Sequence, residues 1–140
     1  MVSPTPPGAL EVLERMREAA ITRSAGDMSS VYAADAVHEF PFTRPGVPSR
    51  IEGRDAIMSF ITAFWSASPL RYERYRTIAI HRTADPDTIV VEQEVAGTSS
   101  TTGSFVLPNI MVLTARHGQI AHVRDYASLL AVEEATGAPV

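Results

Sequence analysis

Asp125 is the residue of this chain best placed to do chemistry. A turn ending in Gly118 feeds a strand over 119–127, and strand residues alternate between two faces. Ala121, Val123, Asp125 and Ala127 fall on one face; Ile120, His122, Arg124 and Tyr126 fall on the other. An acid on a core-like face is rare unless it is paired or used. A carboxyl among apolar side chains suits general acid or base work near neutrality, and the competing assignment is a structural acid bonded to a neighbour.

Other polar residues are candidates to assist it. Glu94 could share a water or a proton with Asp125, as paired carboxylates do. A symmetric hairpin instead sets Glu94 about opposite Arg76, an ion pair that would turn Gln93 inward to line a pocket. His38 shares a strand face with Phe40 and Phe42, as a proton shuttle or a hydrogen-bonded core histidine. Asn109 lies on the strand face of Met111 and could bind a carbonyl oxygen. Tyr32, Phe60, Phe64 and Trp65 read mostly as core, with one or two of them lining a pocket. The catalytic candidates are therefore Asp125, Glu94 and His38. The candidate substrate contacts are Tyr32, Phe40, Phe60, Trp65, Gln93, Asn109 and Met111. His81, His117 and His122 show no metal-ligand spacing, so no metal is expected.

What the chain lacks narrows the chemistry further. It has no cysteine, which excludes disulfides, thiolate catalysis and zinc–sulfur sites. It has no lysine, since all 12 basic residues are arginine, which excludes Schiff-base chemistry and the P-loop lysine. Asp, Glu, His, Tyr and bound water remain for proton transfer, with no cofactor expected. A net charge of −4 argues against nucleic acid or an anionic membrane as partner. No stretch approaches the ~20 apolar residues of a membrane span, and no signal peptide is evident, so a cytoplasmic location is expected.

The elements that must position these residues follow from periodicity. Leu10, Leu13, Met16 and Ala20 predict a helix over 9–24, with Gly26 at its C-terminal cap. Asp27 would cap a short helix over 28–34. A strand over 36–42 leads to a loop over 43–50, whose Pro45, Gly46 and Pro48 could rim an opening. A third helix over 56–66 shows an Ile57, Phe60, Ile61 and Phe64 stripe. Four long strands follow, over 70–82, 88–98, 104–115 and 119–127, joined by hairpin-sized turns. A short helix over 128–136 stops at Gly137 and Pro139. Residues 1–8 read as a disordered lead-in and 9–140 as one domain. Helices segregated beside an antiparallel sheet make the chain α+β. Three helices cannot cover both faces of such strands, and 105–114 is apolar on both. The uncovered side is expected to meet a second subunit.

That order of elements, with Ala25-Gly-Asp27, Tyr32-Ala-Ala-Asp-Ala-Val37, Ile51-Glu-Gly-Arg-Asp-Ala-Ile57 and Gly118-Gln-Ile…Arg124-Asp-Tyr126, resembles the nuclear transport factor 2-like superfamily. Within it the chain most resembles the SnoaL-like polyketide cyclase group over roughly residues 9–137. It is also similar to the phenazine-biosynthesis A/B proteins and to limonene epoxide hydrolase. The resemblance implies a cone-shaped α+β barrel: a curved, mostly antiparallel sheet around three N-terminal helices, with a short C-terminal helix and an apolar pocket at one end. Asp125 falls where the cyclases, phenazine proteins and limonene epoxide hydrolase each carry an acid. Other positions depart from the relatives. The ketosteroid isomerase base would fall near Phe40 and its helix tyrosine near Ala19. The cyclase histidine would fall near Met111. The Arg-x-Asp run of limonene epoxide hydrolase matches Glu92-Gln-Glu94. The scaffold hosts isomerases, cyclases, hydrolases and binders alike. Three readings follow: a cofactor-independent cyclase or isomerase acting on an apolar, oxygenated small molecule; an epoxide hydrolase using Asp125 and Glu94; or a non-catalytic binding or assembly subunit.

Overall fold

A computed structural model describes residues 7–137. The expected lead-in 1–8 lies outside the described residues save for Pro7 and Gly8, and Pro139 lies outside them as well. The element order is α1 (Ala9–Thr22), α2 (Ala25–Val31), β1 (Tyr32–Glu39), β2 (Arg50–Glu52), α3 (Arg54–Ala67), β3 (Leu70–Arg82), β4 (Thr88–Ser99), β5 (Gly103–Arg116), β6 (Gln119–Ala127) and α4 (Leu129–Thr136). The helices pack on one six-stranded sheet of order β2-β1-β6-β5-β4-β3. The sheet is curved but unclosed, with β2 and β3 as its edges, so the architecture is an α+β cone and not a closed barrel. Among the described residues no helix is long and apolar enough to cross a membrane.

The differences from expectation trace to particular hydrogen bonds and strand pairings. Helix α1 ends at Arg23 in a left-handed conformation (φ 54°), not at Gly26. The Arg23 guanidinium donates to the carbonyls of Trp65 (2.8 Å) and Leu70, and these tertiary bonds hold a conformation that glycine would otherwise be needed for. Ser24, not Asp27, caps α2: its hydroxyl accepts from the Asp27 backbone N–H at 3.1 Å. The helix therefore starts and ends three residues early, and Tyr32 opens β1 instead of lying on a helix. Residues 50–52, at and just past the end of the expected loop, pair with β1 as β2. The one parallel pairing among the described residues, β1 with β6, sets His38 against Val123 and Glu39 against Arg124.

Curvature is written into bulges and one close approach. The β3–β4 register shifts between Tyr72 and Arg74, so Tyr72 and Tyr75, of opposite parity, both reach the concave face. Opposite them Gly97 has no room for a side chain, since a Cβ would sit 1.8 Å from the Arg71 carbonyl oxygen. A second shift between Thr114 and Ala115 makes Ile120, not Ala121, the buried residue at the start of β6. Beyond that bulge Val123 and Asp125 keep the inward parity expected of them. Val12, Leu13, Ile57, Val91, Leu113 and Val123 fill the core between α1, α3 and the sheet.

Candidate functional site

Between the helices and the concave face lies a cavity of about 230 Å³. The period-two rule delivers its sheet wall: Gln93 and Val95 from β4, Leu107, Asn109 and Met111 from β5, and Asp125 from β6. Helix α3 contributes Phe60 and Trp65, and β1 contributes Tyr32 and His38 with Phe40 just past its end. All seven expected substrate contacts thus line one space, together with Asp125 and His38.

Its polar groups form a chain across the sheet. The Asn109 side-chain amide donates to Asp125 Oδ1 at 2.9 Å. Asp125 Oδ2 faces His38 Nε2 at 3.8 Å, beyond a hydrogen bond but within ion-pair range. His38 Nδ1 lies 3.0 Å from the Tyr32 hydroxyl, while Nε2 is buried with no hydrogen-bond partner. A lone pair on Nε2 would face a carboxylate, so the tautomer protonated at Nε2 is favoured and Tyr32 donates to Nδ1. His38 also stacks at a tilt on Phe40, 4.9 Å between ring centres, and Phe40 packs on Phe60.

Three tyrosines surround this chain, and all are held neutral. Burial pushes the Tyr72 hydroxyl up to about 12, with the Asp125 charge adding to the shift. Burial likewise raises Tyr32, again helped by Asp125. Tyr75 is raised by burial first, then by Tyr72 and Asp125.

Glu94 is not part of this site. In the observed register it sits opposite Arg76 and pairs with it at 2.7 Å on the outer face, while Gln93 points inward. The expected water shared by Asp125 and Glu94 has no place to form, because adjacent strand residues face opposite sides of the sheet. Phe42 also departs from expectation: it lies beyond β1, exposed, edge-on to Tyr126.

Among the lining residues that sequence reasoning missed are Arg17, Tyr72 and Tyr75, each with a polar group. Arg17 lies one helical turn from Leu13 on the buried stripe of α1, and this was the signal available for it. It is buried, and its Nε and Nη2 donate to Gln93 Oε1 at 2.9 and 2.7 Å. Among the described residues no group of three or more His, Cys, Asp or Glu is arranged to hold a metal ion.

Comparison with known proteins places this geometry among relatives. The model of the SnoaL-like domain matches residues 13–123. The chain is 29% identical over 130 residues to the uncharacterised protein YesE of Bacillus subtilis, covering 92% of this chain and 87% of that one. It is 32% identical over 108 residues to an uncharacterised PhzA/B-like protein of Pseudomonas aeruginosa, covering 76% and 74%. A crystal structure from Bacillus subtilis, provisionally described as an isomerase, superposes with a TM-score of 0.84 at 29% identity, covering 94% of each chain.

Proposed function

The chain belongs to the SnoaL-like domain family, and from that premise we propose that it is a cofactor-independent enzyme of the cyclase or isomerase type. One observation carries the reading: Asp125 has one oxygen fixed by Asn109 and the other left open, facing an unpartnered His38 N–H inside an apolar cavity. A base and a donor side by side suit a substrate with a C–H bond next to a carbonyl. Asp125 Oδ2 takes the proton from carbon, and His38 Nε2–H donates to the oxygen that becomes the enolate. The proton then returns to a different carbon, which is isomerisation, or the enolate carbon attacks a second carbonyl, whose oxygen takes the proton from Asp125 as the ring closes. Asp125 and His38 are the catalytic residues of this scheme. Asn109 and Tyr32 are positioning residues, holding the carboxylate and the imidazole tautomer. The substrate is an apolar, oxygenated small molecule. The two-carboxylate route to epoxide opening lacks its second acid, since Glu94 faces away.

We further propose that the chain acts as a homodimer joined through the outer face of the sheet. Val106 and Ile110 on β5 and Ile78 on β3 are exposed there.

The test is hydrogen–deuterium exchange next to the carbonyl of β-tetralone, followed in heavy water. Asp125→Asn is expected to slow exchange roughly 100- to 10,000-fold. Glu94→Gln is expected to stay within about twofold, as for an outer-face charge. Unchanged exchange in Asp125→Asn, with the probe still bound, would instead identify a binding module.

A further inference from the structure

We propose that the cavity has a second polar pole, built from Arg17 and Gln93, that binds an oxygen acceptor at the far end of the substrate and prefers a carboxylate. This pole plays no part in the proton transfer above, and it rests on that reading only for where the substrate's reacting end lies.

A guanidinium in the wall of an apolar cavity needs an account, because burying a cation is costly unless it is compensated. Arg17 is 8% exposed. Its one carboxylate partner, Glu14 at 3.0 Å, is 69% exposed at its side chain, so solvent screens that attraction. Its other contacts are neutral: Thr77 Oγ1 at 3.0 Å, Gln93 Oε1, and the face of Tyr75 at 5.4 Å. The positive charge therefore meets one carboxylate, itself mostly in solvent, and otherwise only dipoles.

These contacts also fix which end of Gln93 faces the cavity. Both Arg17 bonds end on Oε1, so the amide cannot flip without setting N–H against N–H. What Gln93 presents is therefore its Nε2 amino group, which has no hydrogen-bond partner among the described residues. Gln93 as a residue is only 4% exposed, and it lines the cavity, so this free amino group is open to a ligand oxygen there.

The spacing sets the shape of the occupant. Gln93 pairs with Asn109 across β4–β5, and Asp125 lies on the next strand, beside Met111. Two strand spacings, roughly 10 Å, separate the backbones that carry Gln93 and Asp125. The fitting ligand is an elongated apolar molecule, with an acidic C–H beside a carbonyl at the Asp125 end and a carboxylate or carbonyl oxygen at the Arg17–Gln93 end. A guanidinium whose one carboxylate partner is screened by solvent favours the carboxylate.

The experiment is calorimetric titration with two probes of one shape, naphthoate and neutral acetylnaphthalene. The unaltered protein is expected to bind naphthoate about tenfold tighter, the scale of one charge-assisted hydrogen bond. Gln93→Glu keeps both Arg17 bonds and the side-chain shape but replaces the donors with a negative oxygen, so it is expected to reverse that order. If it does not fold, the side-chain amide resonance of Gln93 in the unaltered protein decides: it shifts on adding naphthoate. Equal affinities, an unchanged order in Gln93→Glu, or a still amide resonance would each overturn the proposal. No turnover enters these measurements. A protein without proton exchange leaves the second pole standing, and a missing naphthoate preference leaves the proton-transfer reading standing.

Discussion

The two faces of the sheet use the same kinds of polar side chain to opposite ends. On the outer face three acids are closed off in pairs: Glu94 with Arg76 at 2.7 Å, Glu92 with His81 at 2.6 Å, and Glu39 with both Arg50 at 2.9 Å and His122 at 2.7 Å. On the concave face the groups are fewer and are left open. Asp125 has a neutral amide on one oxygen, His38 Nε2 has no partner, and the Gln93 amino group has none. Pairs in water contribute little because solvent already satisfies both members. Open groups in a low-dielectric cavity are costly, and each marks a place where a ligand atom completes the structure. The difference separates side chains that keep the chain in solution from those that recognise something.

The largest effect comes from deleting one arginine from each face. Arg17→Met leaves the buried Gln93 Oε1 without the two N–H groups it accepts from and is expected to cost ~2–3 kcal/mol in a urea unfolding series. Arg76→Met removes a pair whose arginine is 69% exposed and is expected to cost at most ~1 kcal/mol. Equal losses would break the distinction between the faces.

A charge placed on the outer face sharpens the comparison from the other side. Val106 is 53% exposed in the single chain, so Val106→Asp is expected to change the chain's own stability by only about 0.5 kcal/mol. If the face is a dimer interface, the same substitution converts a dimer to a monomer in sedimentation equilibrium, since a buried unpaired carboxylate opposes association. A protein that sediments identically with and without it has no interface at that position.

The pattern of β4 and β5 was legible in the sequence because period-two alternation needs no tertiary information. It offered Glu94 or Gln93 as the inward residue and set Asn109 and Met111 on one wall, and the observed register, with Arg76 opposite Glu94, turns Gln93 inward. Asp125 was legible for the same reason. Bulges were not. Nothing in Tyr72-Glu73-Arg74-Tyr75 announces the register shift that brings both tyrosines to the same face. Arg17 escaped because a charged residue on a helix stripe is ordinarily solvated, and its burial depends on Gln93, 76 residues away. Arg23 took the cap expected of Gly26 through bonds to Trp65 and Leu70, which no local rule anticipates. The short β2 and the parallel β1–β6 pairing depend likewise on partners distant in the chain.

The smallest effect tests whether Asp125 carries its charge into the cavity. Phenols ordinarily ionise near 10, and burial pushes Tyr72 up to about 12, with Tyr32 and Tyr75 raised in the same direction. Below pH 10 these groups are neutral in both states and their contribution to stability is fully present. As pH rises from 10 toward 12 the unfolded chain ionises first, so that stability is lost. The Asp125 charge is a lesser cause of all three shifts, after burial. Asp125→Asn therefore lowers the folded values, narrows the gap to the unfolded chain and reduces the alkaline loss. Denaturant melts at successive pH values, read alongside phenolate absorbance, are expected to show Asp125→Asn losing less stability than the unaltered protein above pH 10. Glu94→Gln, on the outer face, is expected to follow the unaltered curve. If both substitutions flatten the curve alike, the tyrosines sense the net charge of the chain and not a carboxylate inside the cavity.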